Sequence, residues 1–124
     1  MIRVLVVEDH AILREGLKAL LEIEPDIEIV AAVGSAAEAM EMLGGSTLSV
    51  VLTDLALPEH TGIDLIRHAR AAGNPVPFIV LTAHNTDEYI RLSLKAGASG
   101  YVLKDSGRAD LLRAIRTVVD GGQF

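Results

Sequence analysis

The stretch IRVLVVED (residues 2–9) shows the pattern on which the chain is built, a short apolar run that ends in polar side chains. The apolar part, residues 2–7, is too short for a helix and has almost no polar interruption, which is typical of a strand buried on both faces of a parallel sheet. Four further runs rich in valine, isoleucine or leucine follow it: Ile27 to Val33, Leu48 to Thr53, Phe78 to Thr82 and Tyr101 to Leu103. The sequence therefore predicts five strands.

The segments between these runs have the pattern of amphipathic helices. The first carries leucines at 13, 17, 20 and 21, which form one apolar stripe at helical spacing. Three more begin with pairs typical of a capping box: Ser35 with Glu38, Thr61 with Asp64, and Asn85 with Glu88. We expect these helices at Ala36 to Leu43 (stopped by Gly44-Gly45), Ile63 to Ala72, and from Asn85 up to Gly97, with a fifth from Arg108 to Val119. Alternating strands and helices with right-handed crossovers predict an α/β domain, a five-stranded parallel sheet with helices on both faces.

Composition narrows the class of protein. The 124 residues fit one domain, and with 50% hydrophobic residues the chain can build a core. A net charge of −6 and 3% aromatic residues argue against a nucleic-acid surface, and the absence of cysteine excludes disulfides, a thiol nucleophile and cysteine-ligated zinc. The longest apolar run, residues 29–33, is far too short to span a bilayer, and the N-terminus has no signal-peptide pattern. We expect a cytoplasmic protein with no membrane contact.

Reactive side chains stand at the ends of four predicted strands. Glu8-Asp9 follows the first strand, Asp54 the third, Thr82 the fourth and Lys104 the fifth. Ligands of open parallel sheets bind outside the carboxyl ends of the strands, so these five side chains should converge on one edge of the domain.

The second strand differs from the others. It ends in Gly34-Ser35 instead of a reactive group, and acids lie in and before it at Glu24, Asp26 and Glu28. These features predict an outer, partly exposed strand away from the site.

Taken singly, each of the convergent residues has an ordinary structural role as a cap, a turn residue or a solvated charge. Together, three carboxylates in one crevice repel one another unless a cation lies between them. Mg²⁺ suits such a site, because it binds one or two carboxylates together with water and phosphate oxygens. With Lys104 and Thr82 added, the set forms a cradle for a phosphoryl group. Asp54, on the central strand, is the natural nucleophile, and the product would be an aspartyl phosphate.

These residues lie in four ordered motifs: VLVVEDH (4–10), VLTDLALP (51–58) followed by Gly62, LTA (81–83) and GASGYVLK (97–104). On the basis of these motifs, the sequence resembles the receiver domain of two-component response regulators over essentially its whole length. The resemblance implies the flavodoxin-like strand order 2-1-3-4-5. It also implies phosphorylation by a sensor histidine kinase, with no enzymatic activity beyond the domain's own phosphoryl transfer and autodephosphorylation.

The resemblance also implies roles for individual residues. Asp54 would be the phosphoacceptor. Asp9 would bind Mg²⁺ directly and Glu8 through water, while Asp54 and the backbone carbonyl of Ala56 complete the protein ligands. The longer side chain of Glu8, where the family more often has aspartate, suits the water-mediated role.

On the other side of the acceptor, Lys104 would pair with the phosphoryl group. Thr82 would bond a phosphoryl oxygen, and the ring of Tyr101 would follow Thr82 when the domain switches. Asp105 stands where many receivers have a proline in a cis peptide bond, and without proline that bond costs about 3–4 kcal/mol.

Further motifs resemble receivers of the NarL/FixJ (LuxR-type) subfamily: EDH (8–10), REGL (14–17), LKD (103–105) and AIR (114–116). Members carry a C-terminal helix-turn-helix domain that binds DNA. We therefore expect a receiver domain over residues 1–120 and the start of a linker at 121–124, with DNA contacted only through that further domain. A homodimer on phosphorylation is also expected, through the fourth helix and fifth strand or through the first and fifth helices.

Other functions remain open at the level of sequence. A stand-alone receiver needs no DNA-binding domain. A magnesium-dependent phosphohydrolase of the haloacid-dehalogenase kind would need a second acid where Ala56 stands. A flavin- or nucleotide-binding module would need a phosphate loop after the first strand, where Glu8-Asp9 repels bare phosphate. In an interaction domain that is not phosphorylated, nothing would require all five site residues.

The four histidines lack the spacing of a metal-binding pair. His10, His60 and His68 are interpreted as surface or loop residues. His84, two residues after Thr82, is expected to border the phosphoryl group, where it could affect attack by water.

Overall fold

The computed structural model describes residues 1–45, 47–83 and 87–124. Strands and helices alternate from end to end of the described chain. In chain order they are β1 (Ile2–Val7), α1 (Ala11–Glu22), β2 (Ile27–Val33), α2 (Ala36–Gly45), β3 (Val50–Asp54), α3 (Gly62–Ala71), β4 (Phe78–Thr82), α4 (Asp87–Ala96), β5 (Gly100–Leu103) and α5 (Arg108–Val119).

The strands form one parallel sheet in the order β2-β1-β3-β4-β5. This order confirms the predicted topology, and β2 lies at an edge as its acidic residues indicate. Strands β3 and β4 are buried along their whole length, whereas β2 is partly exposed at most positions. The chain reverses its direction of winding beside β1 and β3, so the ends of these two strands adjoin at the point where α/β sheets bind ligands.

Alternate side chains of each strand enter two separate cores. On one face, Val4 and Leu52 pack with the inner sides of α1 and α5. On the other face, Leu5, Val51 and Phe78 pack with residues of α2 and α3. The helices therefore cover both faces, as predicted, and apart from Phe78 both cores are aliphatic.

The start of α3 follows its local sequence closely. Thr61 Oγ1 accepts a hydrogen bond from the Asp64 backbone N–H at 3.1 Å, and Asp64 Oδ2 accepts one from the Thr61 N–H at 3.0 Å. The hydrogen bond from the Thr61 backbone N–H to the Asp64 carboxylate is the main cause that holds the pKa of Asp64 below its usual range. Since Thr61 is the cap, the helix begins at Gly62 and ends at Ala71, one residue earlier at each end than predicted.

Other boundaries differ from the prediction for local reasons. At α2, Ser35 Oγ accepts from the Glu38 N–H at 3.2 Å, but Glu38 reaches the Gly34 N–H instead of the cap residue, so only half of the capping box forms. The helix also includes Gly44-Gly45, the predicted stop, in its last turn. Strand β3 begins at Val50, two residues later than predicted. The predicted cap Asn85 lies outside the described residues.

Gly62 brings the first turn of α3 against the end of β3. A Cβ at this position would overlap the carbonyl oxygen of Asp54 and lie 3.3 Å from Leu55 Cα. The Gly62 N–H also donates to the Leu55 carbonyl at 2.8 Å. The glycine of the VLTDLALP…G motif is therefore needed for close packing beside Asp54.

Candidate functional site: an acidic cleft at the strand ends

The predicted site residues do meet at one edge of the sheet. The ends of β1, β3, β4 and β5 surround an open cleft of about 450 Å³. Its lining consists of Asp9, His10, Asp54, Ala56, Leu57, Pro58, Thr82, Ala83 and Lys104. Glu8 lies beneath it and is almost completely buried, with 1% of its surface exposed. The convergence expected from the strand pattern is thus present in the structure.

Lys104 links the two sides of the cleft. Its Nζ donates to Asp54 Oδ2 at 2.8 Å and lies 3.2 Å from Glu8 Oε1. Burial alone would lower the pKa of Lys104, but the hydrogen bond and charge of Asp54, with a smaller contribution from Glu8, outweigh it and raise the pKa. The ammonium group is therefore charged throughout the neutral range and held beside Asp54.

Asp54 is the last residue of β3 and only 5% exposed. Its two carboxylate oxygens are differently engaged: Oδ2 contacts Lys104, while Oδ1 accepts the Ala56 N–H at 3.2 Å. The second contact turns the Asp54–Ala56 segment, so that both residues line the cleft. The Asp54 carboxylate is therefore held in a defined orientation by donors on both oxygens.

Arg14 fixes the end of β1. Its Nη1 donates to the Glu8 backbone carbonyl at 2.8 Å and would lie 3.0 Å from a Cβ at Gly34. The guanidinium group therefore packs between the end of β1 and the turn after β2, in tight contact with the position that a side chain at 34 would take. In the sequence, Arg14 is marked only by the subfamily motif REGL (14–17), which does not indicate this role.

The donor set of the cleft fits a divalent cation. Glu8, Asp9, His10 and Asp54 each offer one ligand atom, and these atoms lie within 4.8 Å of one another. Glu8 Oε1 and Asp9 Oδ1 are buried and accept no well-aligned hydrogen bond within the described residues. Oxygen ligands of this kind suit Mg²⁺, which binds one or two carboxylates directly and retains several water molecules. Asp9 is the more accessible acid of the pair, with 29% of its side chain exposed against 1% for Glu8.

Thr82 and Tyr101 lie on the β4–β5 side of the cleft. Thr82 ends β4 and is buried, while Tyr101 on β5 is partly buried. Burial raises the pKa of Tyr101, against the opposing effect of a side-chain hydrogen bond with Thr82. The two predicted switch residues are therefore in direct contact.

His10, interpreted as a surface residue, does expose its ring, but its Nδ1 faces the acid pair, which its place directly after Glu8-Asp9 could have indicated. His84 lies outside the described residues. The Lys104–Asp105 bond is trans, since the described residues contain no cis peptide bond.

Residues 4–116 match the family of response regulator receiver domains. The chain belongs to this family. The receiver resembles curated transcriptional regulators: it is 36% identical over 121 residues to the DNA-binding transcriptional activator DevR/DosR of Mycobacterium tuberculosis and 35% identical to the nitrate/nitrite response regulator NarP of Escherichia coli. Each alignment covers 98% of this chain and 56% of the relative, so the receiver spans little more than half of their length.

Solved structures give the same result for the fold. A LuxR-family response regulator from Aurantimonas matches the receiver with a TM-score of 0.93 and 36% identity, over 98% of this chain and 86% of the other. The receiver domain of NarL from Mycobacterium tuberculosis matches with a TM-score of 0.92 and 28% identity, over 97% of each chain. The predicted resemblance to NarL/LuxR-type receivers is confirmed.

Among residues 1–45, 47–83 and 87–124, the receiver has no helix long and apolar enough to cross a membrane.

Proposed function

We propose that this receiver accepts a phosphoryl group on Asp54 and thereby switches a transcriptional output. The observation that carries the proposal is the contact of 2.8 Å between Lys104 Nζ and Asp54 Oδ2, with Glu8 and Asp9 beside it. It brings a fixed cation, a carboxylate that lines the cleft and a set of metal ligands together. Acceptance of a phosphoryl group needs these three elements.

In the proposed reaction, a carboxylate oxygen of Asp54 attacks the phosphorus of the donor, and the bond from phosphorus to the donor's leaving group breaks. Lys104 stays within reach of the added charge. Asp9 and Asp54, with the carbonyl of Ala56, would hold Mg²⁺ directly and Glu8 would hold it through water. A bound Mg²⁺ neutralises charge on the phosphoryl oxygens. Thr82 would donate its hydroxyl to one of these oxygens.

Intact-mass measurement tests the proposal directly. With acetyl phosphate and Mg²⁺, the chain should gain one phosphoryl group, and chelation of the metal should prevent the gain. An aspartyl phosphate is an acyl phosphate, so hydroxylamine should remove the added group. A phosphoryl group that survives hydroxylamine would show that a hydroxyl or another residue type is the acceptor.

The partners of the proposed reaction follow from the family and its named relatives. Sensor histidine kinases are the expected donors, and the DNA-binding relative DevR/DosR supports a transcriptional role for the full-length protein. DNA contact would come through a helix-turn-helix domain joined after the receiver at 1–120 by a linker that starts at 121–124. Homodimer formation on phosphorylation and a cytoplasmic location belong to the same proposal.

Family membership favours this function over a magnesium-dependent phosphohydrolase. Receivers are generally signalling domains without an enzymatic substrate. The cleft also has Ala56, two residues after the acceptor, where a phosphohydrolase of the haloacid-dehalogenase kind needs its acid. Chemistry would be limited to the domain's own phosphorylation and autodephosphorylation.

Magnesium affinity should distinguish the two acids. Asp9→Ala is expected to weaken Mg²⁺ binding more than Glu8→Ala, because loss of a direct ligand removes a coordinate bond and loss of a water-mediated contact does not. Calorimetric titration of both variants measures this difference. The opposite order would mean that the buried Glu8 is the direct ligand.

Thr82 should couple phosphorylation to the β4–β5 side of the domain. A ligand shifts a conformational equilibrium only through contacts that differ between the two states. Thr82 would exchange its bond with Tyr101 for one with the phosphoryl group and so free the ring to move. Thr82→Ala should therefore leave phosphorylation of Asp54 largely intact while weakening the structural response.

Amide chemical shifts of residues 87–103, with and without beryllofluoride as a phosphoryl mimic, report this response. The Thr82→Ala variant should show clearly smaller shifts than the parent. Thr82→Ser keeps the hydroxyl and is the matched control. Equal shifts in the alanine variant would exclude Thr82 as the coupling residue.

A further inference from the structure

His10 has an unusual position for the residue that precedes a helix. It is the N-cap of α1, where serine, threonine, aspartate or asparagine usually accepts a backbone hydrogen bond, but its side chain makes no such bond. The ring turns toward the acid pair instead. Its Nδ1 lies 3.1 Å from Glu8 Oε2 and 3.4 Å from Asp9 Oδ1. Helix capping therefore does not account for a histidine at this position.

The imidazole and Lys104 lie against different oxygens of the same carboxylate. Lys104 contacts Glu8 through Oε1, and His10 contacts it through Oε2. The His10 backbone N–H also donates to Oε2 at 3.0 Å, so the main chain helps to hold the ring beside Glu8. His10 lines the cleft together with Asp9 and Asp54. A ring nitrogen is thus part of the donor cluster at the acidic end of the cleft.

We propose that His10 selects the metal ion of this cleft, and that its imidazole nitrogen gives the site a preference for first-row transition metal ions such as Co²⁺ and Zn²⁺. The proposal rests on the proposed function, in which Glu8, Asp9 and Asp54 hold a divalent cation. It adds a fourth ligand of different chemistry. His10 would be a specificity-determining residue for the metal, without a part in phosphoryl transfer itself.

Ligand chemistry gives the reason for the preference. Mg²⁺ is a hard ion that prefers oxygen ligands and retains its water molecules, so an imidazole adds little to its binding. Imidazole suits the transition metals, whose affinity for mixed nitrogen and oxygen sites rises from Mn²⁺ toward Cu²⁺. A cluster of three carboxylates and one imidazole within 4.8 Å therefore offers these ions a ligand that a site with oxygen ligands alone lacks.

Metal titrations of three variants test the proposal, with Mg²⁺ and Co²⁺ as the probes. His10→Ala removes the ring, and His10→Asn keeps an N–H that can donate to Glu8 but removes the imidazole. His68→Ala is the matched control, because His68 is an exposed histidine of α3 that does not line the cleft. Loss of a group that orients a metal ligand lowers metal affinity roughly 10- to 100-fold. Loss of the ligand itself should lower the affinity at least as much.

We expect both His10 variants to lose roughly that factor for Co²⁺ and to keep their Mg²⁺ affinity within about twofold. The control should match the parent for both ions. The nitrogen chemical shifts of the His10 ring provide a second measurement, since Zn²⁺ should shift them while Mg²⁺ leaves them nearly unchanged. Ring shifts that do not respond to Zn²⁺ would overturn the proposal.

Two further outcomes would also overturn it. Unchanged Co²⁺ affinity in both variants would show that the imidazole is not a ligand. Equal losses for Mg²⁺ and Co²⁺ would show that His10 only orients the carboxylates.

Phosphorylation with Mg²⁺ distinguishes the metal-selection proposal from the proposed function. A parent chain that binds Co²⁺ through His10 but takes no phosphoryl group would support metal selection and contradict the proposed function.

Discussion

Asp54→Asn is expected to abolish phosphoryl acceptance from acetyl phosphate. The amide has nearly the shape of the carboxylate, so it fits the same buried position at the end of β3. It has no anionic oxygen to attack phosphorus, and its contact with Lys104 lacks the charge of the original pair. Intact mass should therefore show no added phosphoryl group under conditions that label the parent chain fully.

The control for this variant is a nearby aspartate outside the donor cluster. Asp105 is exposed and directly follows Lys104, but it does not line the cleft. Asp105→Asn should be labelled like the parent. If Asp54→Asn gained a phosphoryl group to the same extent as the parent, another residue would be the acceptor and the assignment of the site would be wrong.

Arg70→Met is expected to lower the free energy of unfolding more than any other substitution named here. Arg70 Nη1 donates to the carbonyls of Asn74 at 2.8 Å and Val76 at 2.9 Å, and Nη2 donates to that of Gly97 at 2.9 Å. The guanidinium carbon also lies 5.4 Å from the centre of the Phe78 ring. Burial lowers the pKa of Arg70, which remains far above neutral pH. One cation thus joins the α3–β4 connection to the end of α4.

Hydrogen bonds from a charged donor contribute about 1.5–3 kcal/mol each. In Arg70→Met, three carbonyl groups lose their donor, and water can bond to some of them instead. The free energy of unfolding should therefore fall by roughly 3–5 kcal/mol. Urea denaturation measures this loss. Arg70→Lys should recover only part of it, since a compact ammonium cannot match the planar fork of the guanidinium.

Arg67 provides a comparison on the same helix. Its side chain is exposed, and Arg67→Met should change the free energy of unfolding by no more than about 0.5 kcal/mol. Losses of equal size in the Arg67 and Arg70 variants would mean that the contacts of Arg70 contribute no more than an exposed arginine does.

The parts of the fold that could be predicted are those that depend on local pattern. The acids around β2 identified an edge strand, and Thr61 with Asp64 identified the start of α3, because both signals lie within a few residues of the feature that they determine. The convergence of Asp54 and Lys104 was also predictable. In a parallel sheet, the carboxyl ends of all strands lie at the same edge, whatever the details of packing.

The unpredicted contacts depend on where backbone atoms lie. The bond from Arg70 to the carbonyl of Gly97 spans 27 positions, and carbonyl groups leave no trace in a sequence pattern. The same holds for Arg14, which binds the carbonyl of Glu8. The turn of His10 toward its acidic neighbours depends on the backbone at the start of α1, which residue spacing alone does not describe.

The tight packing of Gly62 against the Asp54 backbone has a consequence for the route of a signal. On the α3 side, the acceptor residue touches main-chain atoms with no free space, and a closely packed interior resists small displacements. On the opposite side it faces the cleft and the side chains of Thr82 and Lys104, which have rotatable bonds. A group added to Asp54 would therefore have closely packed main-chain atoms on the α3 side and rotatable side chains on the other side. We therefore expect a response to begin away from α3, on the side of Thr82 and Lys104.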